Sequence, residues 1–181
     1  LQRGLARDWG ICGVGVLPSD RKMKDVLQAQ DGLYTLILEN PDGTRDVRVI
    51  GSIIDYRYAP DDPESVIELL AAPTTRIVSL TITEGGYHID KAGPDSVFGV
   101  ITEALSRRRA RNMESPTIVS CDNIEGNGNV ARQAFVSFAD RYHPGLSDWM
   151  AQHTTFPNSM VDRITPVTTP DVITGLAEQY G

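Results

Sequence analysis

Apolar residues along this chain fall into short unbroken runs, separated by stretches in which they recur at helical spacing. Residues 9–17, 76–83 and 116–123 are runs of the first kind, and each ends at polar or turn-forming residues. The run at 76–83 carries no charge between Arg76 and Glu84, as expected for a strand that is buried on both faces. We therefore predict a buried strand in each of these segments.

Helices are predicted between and after these strands. In residues 61–72, Asp61 or Asp62 can cap a helix, and Pro63 suits its first turn. Residues 95–111 place apolar side chains at helical spacing and end in basic residues, which interact favourably with the helix dipole. The other predicted helices cover residues 20–30, 127–142 and 146–153.

A different pattern lies between the first two predicted helices. Residues 34–40 and 44–59 are rich in Val, Ile and Tyr and flank the turn sequence Asn40-Pro41-Asp42-Gly43, which predicts an antiparallel hairpin. After Pro144 the chain contains several prolines, so we expect an irregular connection around the short helix at 146–153. The alternation of strands and helices predicts an α/β fold, a Rossmann-like doubly wound parallel sheet with the hairpin as an insertion.

Composition narrows the classes of function. The 181 residues carry a formal net charge of −7, which argues against a nucleic-acid partner because phosphate binding relies on clustered Lys and Arg. We interpret the dense basic run from Arg107 to Arg111 as the solvated end of a helix. No apolar run approaches the roughly 20 residues that cross a bilayer, and the first residues lack the apolar core of a signal peptide. We predict a cytoplasmic protein without a membrane partner.

The residue types that bind metals are scattered. Cys12 and Cys121 each lie in an apolar, strand-like segment, where buried reduced thiols are expected. His88, His143 and His153 show no ligand spacing with each other or with the cysteines, whereas zinc requires closely placed donors. We therefore predict that no metal is involved.

The first strand contains Gly13-Val14-Gly15, and closely spaced glycines let a backbone approach a pyrophosphate. The third glycine of that fingerprint falls on Pro18, so we interpret this segment as the second strand of a dinucleotide-binding fold. Asp20 then lies where an acidic residue binds the adenosine ribose, although it can also be a turn former or a helix cap. A ribose-facing Asp20 favours NAD over NADP, unless Arg21 or Lys22 neutralises a 2′-phosphate.

Polar residues follow the other two buried strands. Thr83 and Glu84 end the strand at 76–83, and Asn123 ends the strand at 116–123. Such ends form the ligand-binding edge of an open α/β sheet. An Asn at this edge can donate its amide N–H to an oxygen that gains negative charge as a hydride leaves the adjacent carbon. Each of these residues can also be an ordinary loop residue.

Five segments carry a family resemblance when they are taken in order. They read WGICGVGVLPSDRKM, VRVIGSI, RIVSLTITEGGY, SCDNIEGNG and FPNSMVDRITP. Together they resemble the successive blocks of the long-chain mannitol dehydrogenase family, which also contains sugar-acid reductases. The VDRI core of the last segment matches the family signature, and the resemblance covers nearly the whole chain.

This resemblance implies roles for the candidate residues. Glu84 matches a carboxylate beside the nicotinamide and the substrate entrance, and we expect Thr83, Glu84 and Asn123 to contact the cofactor. Asn123 matches one of two asparagines that hold the reacting oxygen. Asp162 and Arg163 match the signature pair near the active site between the domains.

The resemblance also implies the cofactor. Asp20 matches the carboxylate that selects the cofactor, while Ser19 stands where a Glu often precedes it. NAD is the implied cofactor, with NADP as an open alternative.

The implied activity is a metal-independent transfer of a hydride between a secondary alcohol of a polyol, such as mannitol, and NAD, which gives a ketose. A hexuronate reductase of the fructuronate type and a nucleotide-binding module without chemistry are the alternatives.

Family members also have an initial strand with a phosphate loop and a helical domain that carries a catalytic Lys, and neither is found here. We expect residues 1–145 to form an incomplete NAD-binding domain and residues 146–181 to lead towards a helical substrate domain. The chain alone is expected to be inactive, and its oligomeric state is left open.

Overall fold

The computed structural model of the protein describes residues 9–161 and 168–180. The strands in these ranges are β1 (Ile11–Gly15), β2 (Tyr34–Glu39), β3 (Arg45–Ile50), β4 (Ile53–Tyr58), β5 (Ile77–Leu80) and β6 (Thr117–Ser120). The α-helices are α1 (Arg21–Ala29), α2 (Pro63–Ala71), α3 (Val97–Ala110), α4 (Asn127–Tyr142), α5 (Leu146–His153) and α6 (Pro170–Tyr180). Short 3₁₀ turns cover Pro18–Asp20, Glu84–Tyr87 and Ile89–Lys91.

Two parallel strand pairs form the framework of the fold. β1 pairs with β4, and β5 pairs with β6, both in parallel. In the dinucleotide-binding order 3-2-1-4-5-6, the second and third strands are neighbours, and so are the fourth and fifth. The two pairs correspond to these neighbours, which confirms the predicted Rossmann-like α/β fold.

The predicted hairpin is confirmed for β2 and β3, which pair antiparallel from Tyr34 opposite Ile50 to Glu39 opposite Arg45. The prediction of one strand over residues 44–59 is wrong, because the chain leaves the hairpin at Gly51 and Ser52. β4 then pairs with β1 instead. An unbroken apolar run indicates extended structure, but it does not show that two halves of the run pair with different partners.

Helix boundaries agree with the capping signals at several points. The Asp62 carboxylate accepts a hydrogen bond of 3.0 Å from the backbone N–H of Ser65, so Asp62 and not Asp61 caps α2. The Ser96 hydroxyl caps α3 through the N–H of Gly99 at 3.2 Å. This cap places Asp95 outside the helix.

Helix α6 corrects the expectation of an irregular connection beyond α5. It begins at Pro170, and the hydroxyl of Thr169 accepts a hydrogen bond of 3.4 Å from the N–H of Val172. A hydroxyl residue before a proline in the first turn is a helix start. The sequence therefore contained this signal, which the surrounding prolines obscured.

The core lies around β5 and β6 and is dominated by aromatic rings. Phe98 of α3 lies 4.8 Å from Phe135 and 6.1 Å from Phe138 of α4, measured between ring centroids. These three rings are almost completely buried, as is Met150 of α5. Large buried rings contribute strongly to packing energy, so this cluster fixes α3, α4 and α5 beside the β5–β6 pair. Among the described residues, no helix is long and apolar enough to cross a membrane.

The basic run at the end of α3 is not the solvated helix end that we expected. Arg108 is 3% exposed, and its guanidinium donates to the backbone carbonyls of Leu70, Ala72, Thr75 and Glu114. Arg107 forms ion pairs with Glu64, Glu68 and Glu103, and Arg111 pairs with Glu68. The run therefore joins α3 to α2 and to the neighbouring loops.

Candidate functional site

The candidate site lies where β5 and β6 end side by side. The parallel register pairs Leu80 with Ser120, and the N–H of Cys121 donates to the carbonyl of Leu80 at 2.8 Å. Glu84 and Asn123 follow these strand ends by four and three residues and are both exposed. Neither the carboxylate nor the amide has a hydrogen-bond partner within the described part of the chain. Glu84 and Asn123 therefore both follow this edge of the sheet, and their polar groups are exposed to solvent.

Asp122 connects the two strand ends. Its carboxylate accepts hydrogen bonds from the backbone N–H of Thr83 at 2.8 Å and of Ile82 at 3.2 Å. The hydroxyl of Tyr87 lies 2.7 Å from the same carboxylate. Asp122 is only 7% exposed, and a buried carboxylate is stable only when its oxygens are hydrogen-bonded.

The Tyr87 hydroxyl has two partners, Asp122 and the hydroxyl of Ser120, each at 2.7 Å. A phenol has one proton and a carboxylate only accepts, so Tyr87 donates to Asp122 and Ser120 donates to Tyr87. Burial raises the pKa of Tyr87 above its ordinary value. The phenol therefore stays protonated at neutral pH and remains a donor to Asp122.

Asn127, at the start of α4, fixes the other side of the edge. Its amide donates to the carbonyl of Asp122 at 3.1 Å and to the carbonyl of Ser159 at 3.0 Å. It also accepts from the N–H of Ser159 at 2.9 Å. The side chain of Asn158 accepts from the N–H of Gly128 at 2.9 Å. These bonds fasten residues 154–160, here called the 154–160 segment, across the N-terminus of α4.

Asp20 lies at the C-terminal end of β1, as the sequence predicted. One carboxylate oxygen, Oδ2, accepts hydrogen bonds of 2.8 Å from the backbone N–H groups of Val16 and Leu17. The other oxygen, Oδ1, contacts the Ser19 hydroxyl at 3.5 Å. The turn-forming interpretation thus accounts for one oxygen and leaves the other available.

The glycines of β1 allow the close packing beside Asp20. A Cβ atom on Gly15 would lie 2.7 Å from the Cβ of Asp20 and 2.6 Å from the hydroxyl of Tyr56. A Cβ on Gly13 would lie 2.5 Å from the Tyr56 ring. All three distances are far below van der Waals contact, so these glycines make room for β4 and Asp20, which agrees with their interpretation as part of a second strand.

The cations next to Asp20 are held by Asp61. The Asp61 carboxylate lies 2.9 Å from the Arg21 guanidinium and 2.7 Å from the Lys24 ammonium. Its hydrogen bond with Lys24, followed by the one with Arg21, holds the pKa of Asp61 below its ordinary value. Arg21, which the sequence offered as a phosphate-binding cation, is therefore directed towards Asp61. Lys22 is exposed.

The thiols and histidines form no centre of their own. Cys12 and Cys121 are free and partly buried, and burial raises the pKa of both thiols. A raised pKa disfavours the reactive thiolate. Over residues 9–161 and 168–180, no cluster of His, Cys, Asp or Glu is placed to hold a metal ion.

The predicted residues are thus distributed over two places. Thr83, Glu84 and Asn123 lie at the edge formed by β5 and β6, while Asp20 lies at the end of β1. Asp162 and Arg163 lie outside the described residues, so their positions remain predictions. Sequence reasoning missed that Tyr87, Asn127 and Ser159 hold the site by hydrogen bonds. The bonds of Tyr87 to Asp122 and of Asn127 to Ser159 join residues more than 30 positions apart, and no local sequence pattern predicts such pairs. It included Asp122 in a motif without a role.

Parallel strand pairs in this order, with an acidic residue after one strand and polar groups after two others, define a dinucleotide-binding domain of the Rossmann type. The profile of the mannitol dehydrogenase Rossmann domain matches residues 4–180. The chain therefore belongs to the mannitol dehydrogenase family.

Curated relatives agree with this membership. The chain is 42% identical over 200 residues to mannitol 2-dehydrogenase of Phaeosphaeria nodorum, with 100% of this chain and 35% of the relative covered. It is 44% identical over 188 residues to the polyol:NADP oxidoreductase of Gluconobacter oxydans, with 92% and 39% covered. The chain thus spans well under half the length of these relatives.

Solved structures share the fold. The ternary complex of Pseudomonas fluorescens mannitol 2-dehydrogenase with NAD and D-mannitol is 44% identical, with a TM-score of 0.89, and the match covers 95% of this chain and 39% of that chain. A substrate-free D-sorbitol dehydrogenase is 43% identical, with a TM-score of 0.88, over 96% of this chain and 40% of that chain.

Proposed function

We propose that the full-length protein is an NAD-dependent oxidoreductase that interconverts a polyol, such as mannitol, and its ketose. The observation that carries this proposal is the edge formed by β5 and β6, where the Glu84 carboxylate and the Asn123 amide are exposed and have no hydrogen-bond partner among residues 9–161 and 168–180. The similarity to an enzyme solved with NAD and D-mannitol supports it. The division near residue 145 and the cytoplasmic location stay predictions.

The residues around Asp20 fit the adenosine ribose of a dinucleotide. One oxygen of the carboxylate is fixed by two backbone N–H groups, so the other is oriented as well. That oxygen has a contact of 3.5 Å with the Ser19 hydroxyl and a further lone pair that can accept a ribose hydroxyl. Arg21, a candidate phosphate-binding cation, forms an ion pair with Asp61 instead. Both features favour NAD. The fixed Asp20 carboxylate repels the 2′-phosphate of NADP, and Arg21 is paired with Asp61 instead of neutralising that phosphate. The relative named as a polyol:NADP oxidoreductase keeps NADP open as the alternative cofactor.

Asn123 is proposed as the residue that touches the reacting oxygen. NAD, when bound, accepts a hydride from the carbinol carbon. The Asn123 amide donates a hydrogen bond to the carbinol oxygen and stabilises the negative charge that builds there, an effect of roughly 3 kcal/mol for one such donor. Glu84 and Thr83 line the entrance, and the resemblance assigns proton removal to a lysine elsewhere in the full-length protein.

The proposal is tested with the full-length protein, using mannitol, arabinitol, sorbitol and a hexonate, each with NAD and with NADP. We expect NADH formation with a polyol, and loss of about 100-fold or more in kcat for Asn123→Ala, with NAD affinity unchanged. Asn129→Ala is the control, because Asn129 is an exposed residue of α4. Turnover of the hexonate alone would replace the proposal with a sugar-acid reductase, and silence with every substrate would leave a nucleotide-binding module.

A further inference from the structure

We infer that Asp122 is a positioning residue for this reaction, which holds the turn at Thr83 and Glu84 in register with Asn123. The inference rests on the proposed function for its kinetic consequence, and on the buried contacts of Asp122 for its structural one. Asp122 is 7% exposed, and within the described residues its carboxylate accepts hydrogen bonds from Ile82, Thr83 and Tyr87, so we assign it a role that acts through these neighbours.

The backbone of Thr83 shows that this turn has to be held. Thr83 has φ of 64° and ψ of 167°, a conformation that a β-branched residue rarely adopts. Such a residue costs on the order of 1–3 kcal/mol and persists only where surrounding contacts enforce it. The 2.8 Å bond from the N–H of Thr83 to Asp122 restrains that backbone position from outside the turn, while the Thr83 carbonyl accepts a bond of 3.1 Å from the N–H of Gly86 within it.

Tyr87 fixes the orientation of the Asp122 carboxylate. Its donated hydrogen bond goes to Oδ2, which also accepts the N–H of Ile82, while Oδ1 accepts the N–H of Thr83. Tyr87 is itself held, because its ring packs edge-on against Phe98 at 6.4 Å. Three donors from one loop thus converge on two oxygens, which leaves the carboxylate one orientation.

The same residue also fixes Asn123. Asp122 is its chain neighbour, and the Asp122 carbonyl is held by the amide of Asn127. The side chain of Asp122 therefore sets the Glu84 loop, and its backbone sets the position of Asn123. A displacement of about 1 Å at an active site can cost about 100-fold in rate, so this connection has a kinetic consequence.

The test compares full-length wild type with Asp122→Asn, Tyr87→Phe and Arg108→Gln. Asp122→Asn keeps the size of the side chain but removes one acceptor, and Tyr87→Phe keeps the ring and removes the donor. Arg108→Gln is the matched control, since it breaks buried hydrogen bonds at the opposite edge of the sheet. We expect Asp122→Asn to lower kcat by about 10- to 100-fold with KM changed much less. Tyr87→Phe should have a smaller effect in the same direction.

Two readouts separate positioning from stability. With a polyol deuterated at the carbinol carbon, the isotope effect on kcat should rise in Asp122→Asn, because hydride transfer becomes more rate-limiting. Amide hydrogen exchange of residues 82–87 should increase in Asp122→Asn and stay at the wild-type level in Arg108→Gln. If Asp122→Asn only lowers Tm, as Arg108→Gln is expected to do, and leaves kcat per folded enzyme and the exchange of 82–87 unchanged, the inference is overturned.

The two proposals fail in distinguishable ways. Absence of turnover in the wild type with all substrates refutes the proposed function, and the exchange of residues 82–87 then decides alone whether Asp122 holds the turn. Normal turnover in the wild type with an unaltered Asp122→Asn variant refutes the positioning role and leaves the proposed function intact.

Discussion

Gly128, the second residue of α4, lies beneath the 154–160 segment with no room for a side chain. A Cβ atom there would lie 2.5 Å from the carbonyl oxygen of Phe156 and 2.6 Å from the carbonyl carbon and oxygen of Pro157. These are backbone atoms, so rotation of a side chain cannot relieve the overlap. Replacement of Gly128 by Ala must therefore move either the helix start or the 154–160 segment.

The size of this movement follows from the distances. Ordinary contact begins near 3.4 Å, so the closest atom must retreat by about 0.9 Å (3.4 minus 2.5 Å). The same shift would stretch the 2.9 Å bonds between Gly128 and Asn158 and between Ser159 and Asn127 beyond hydrogen-bond distance. Overpacking costs typically about 1–3 kcal/mol, and the two lost hydrogen bonds cost about 1 kcal/mol each. The better helix propensity of Ala offsets up to about 1 kcal/mol, so we expect a net loss of at least about 2 kcal/mol.

The assay compares full-length wild type, Gly128→Ala and the control Gly93→Ala, since a Cβ on Gly93 would meet nothing within 4 Å. A loss of about 2 kcal/mol corresponds to a Tm lowered by roughly 4–8 °C for a domain of this size. Amide hydrogen exchange should rise in residues 154–160 for Gly128→Ala and not for Gly93→Ala. A Gly128→Ala protein with the Tm and exchange pattern of the control would refute this reasoning.

Two further predictions concern charged groups. Asp61→Asn removes the ion-pair partner of Lys24 and of Arg21, the residue that follows Asp20, so kcat/KM for NADP relative to NAD should rise by about two- to fivefold. An unchanged ratio in initial-rate assays would show that Asp61 has no part in cofactor choice. Hydrogen bonds from Arg111 and then Arg107 lower the pKa of Glu68 from 4.5 to about 2. The Glu68 carboxylate therefore contributes its full stabilisation at a pH above its pKa in the unfolded chain, and this stabilisation is lost as the pH falls towards its pKa in the folded protein. The Tm difference between wild type and Glu68→Gln should therefore be constant above about pH 5 and shrink towards pH 3, and a difference that stays constant to pH 3 would contradict the assigned ion pairs.

Local signals predicted most of the fold because each depends on residues close in sequence. The helix predicted at 146–153 has the bounds of α5, and a capping Asp61 or Asp62 followed by Pro63 predicted the start of α2. The break at Gly51 and the departure of β4 to β1 depend on contacts between residues about 40 positions apart, which a pattern within one window does not contain. Arg108 shows the same limit, because its carbonyl partners come from the end of α2 and from two loops outside α3.

Asp20 shows why its two sequence interpretations did not exclude each other. A carboxylate has two oxygens and about four acceptor positions. In this structure Oδ2 accepts from two N–H groups of the preceding turn, while Oδ1 contacts the Ser19 hydroxyl at 3.5 Å. The turn contacts fix the position of the carboxylate, and a fixed group loses less conformational freedom when a ligand binds. We therefore propose that the turn contacts orient the Asp20 carboxylate for a ribose hydroxyl. The same argument applies to Asp122 at the end of β6. The hydrogen bonds that keep its buried carboxylate satisfied are the bonds that we propose orient Thr83 and Glu84.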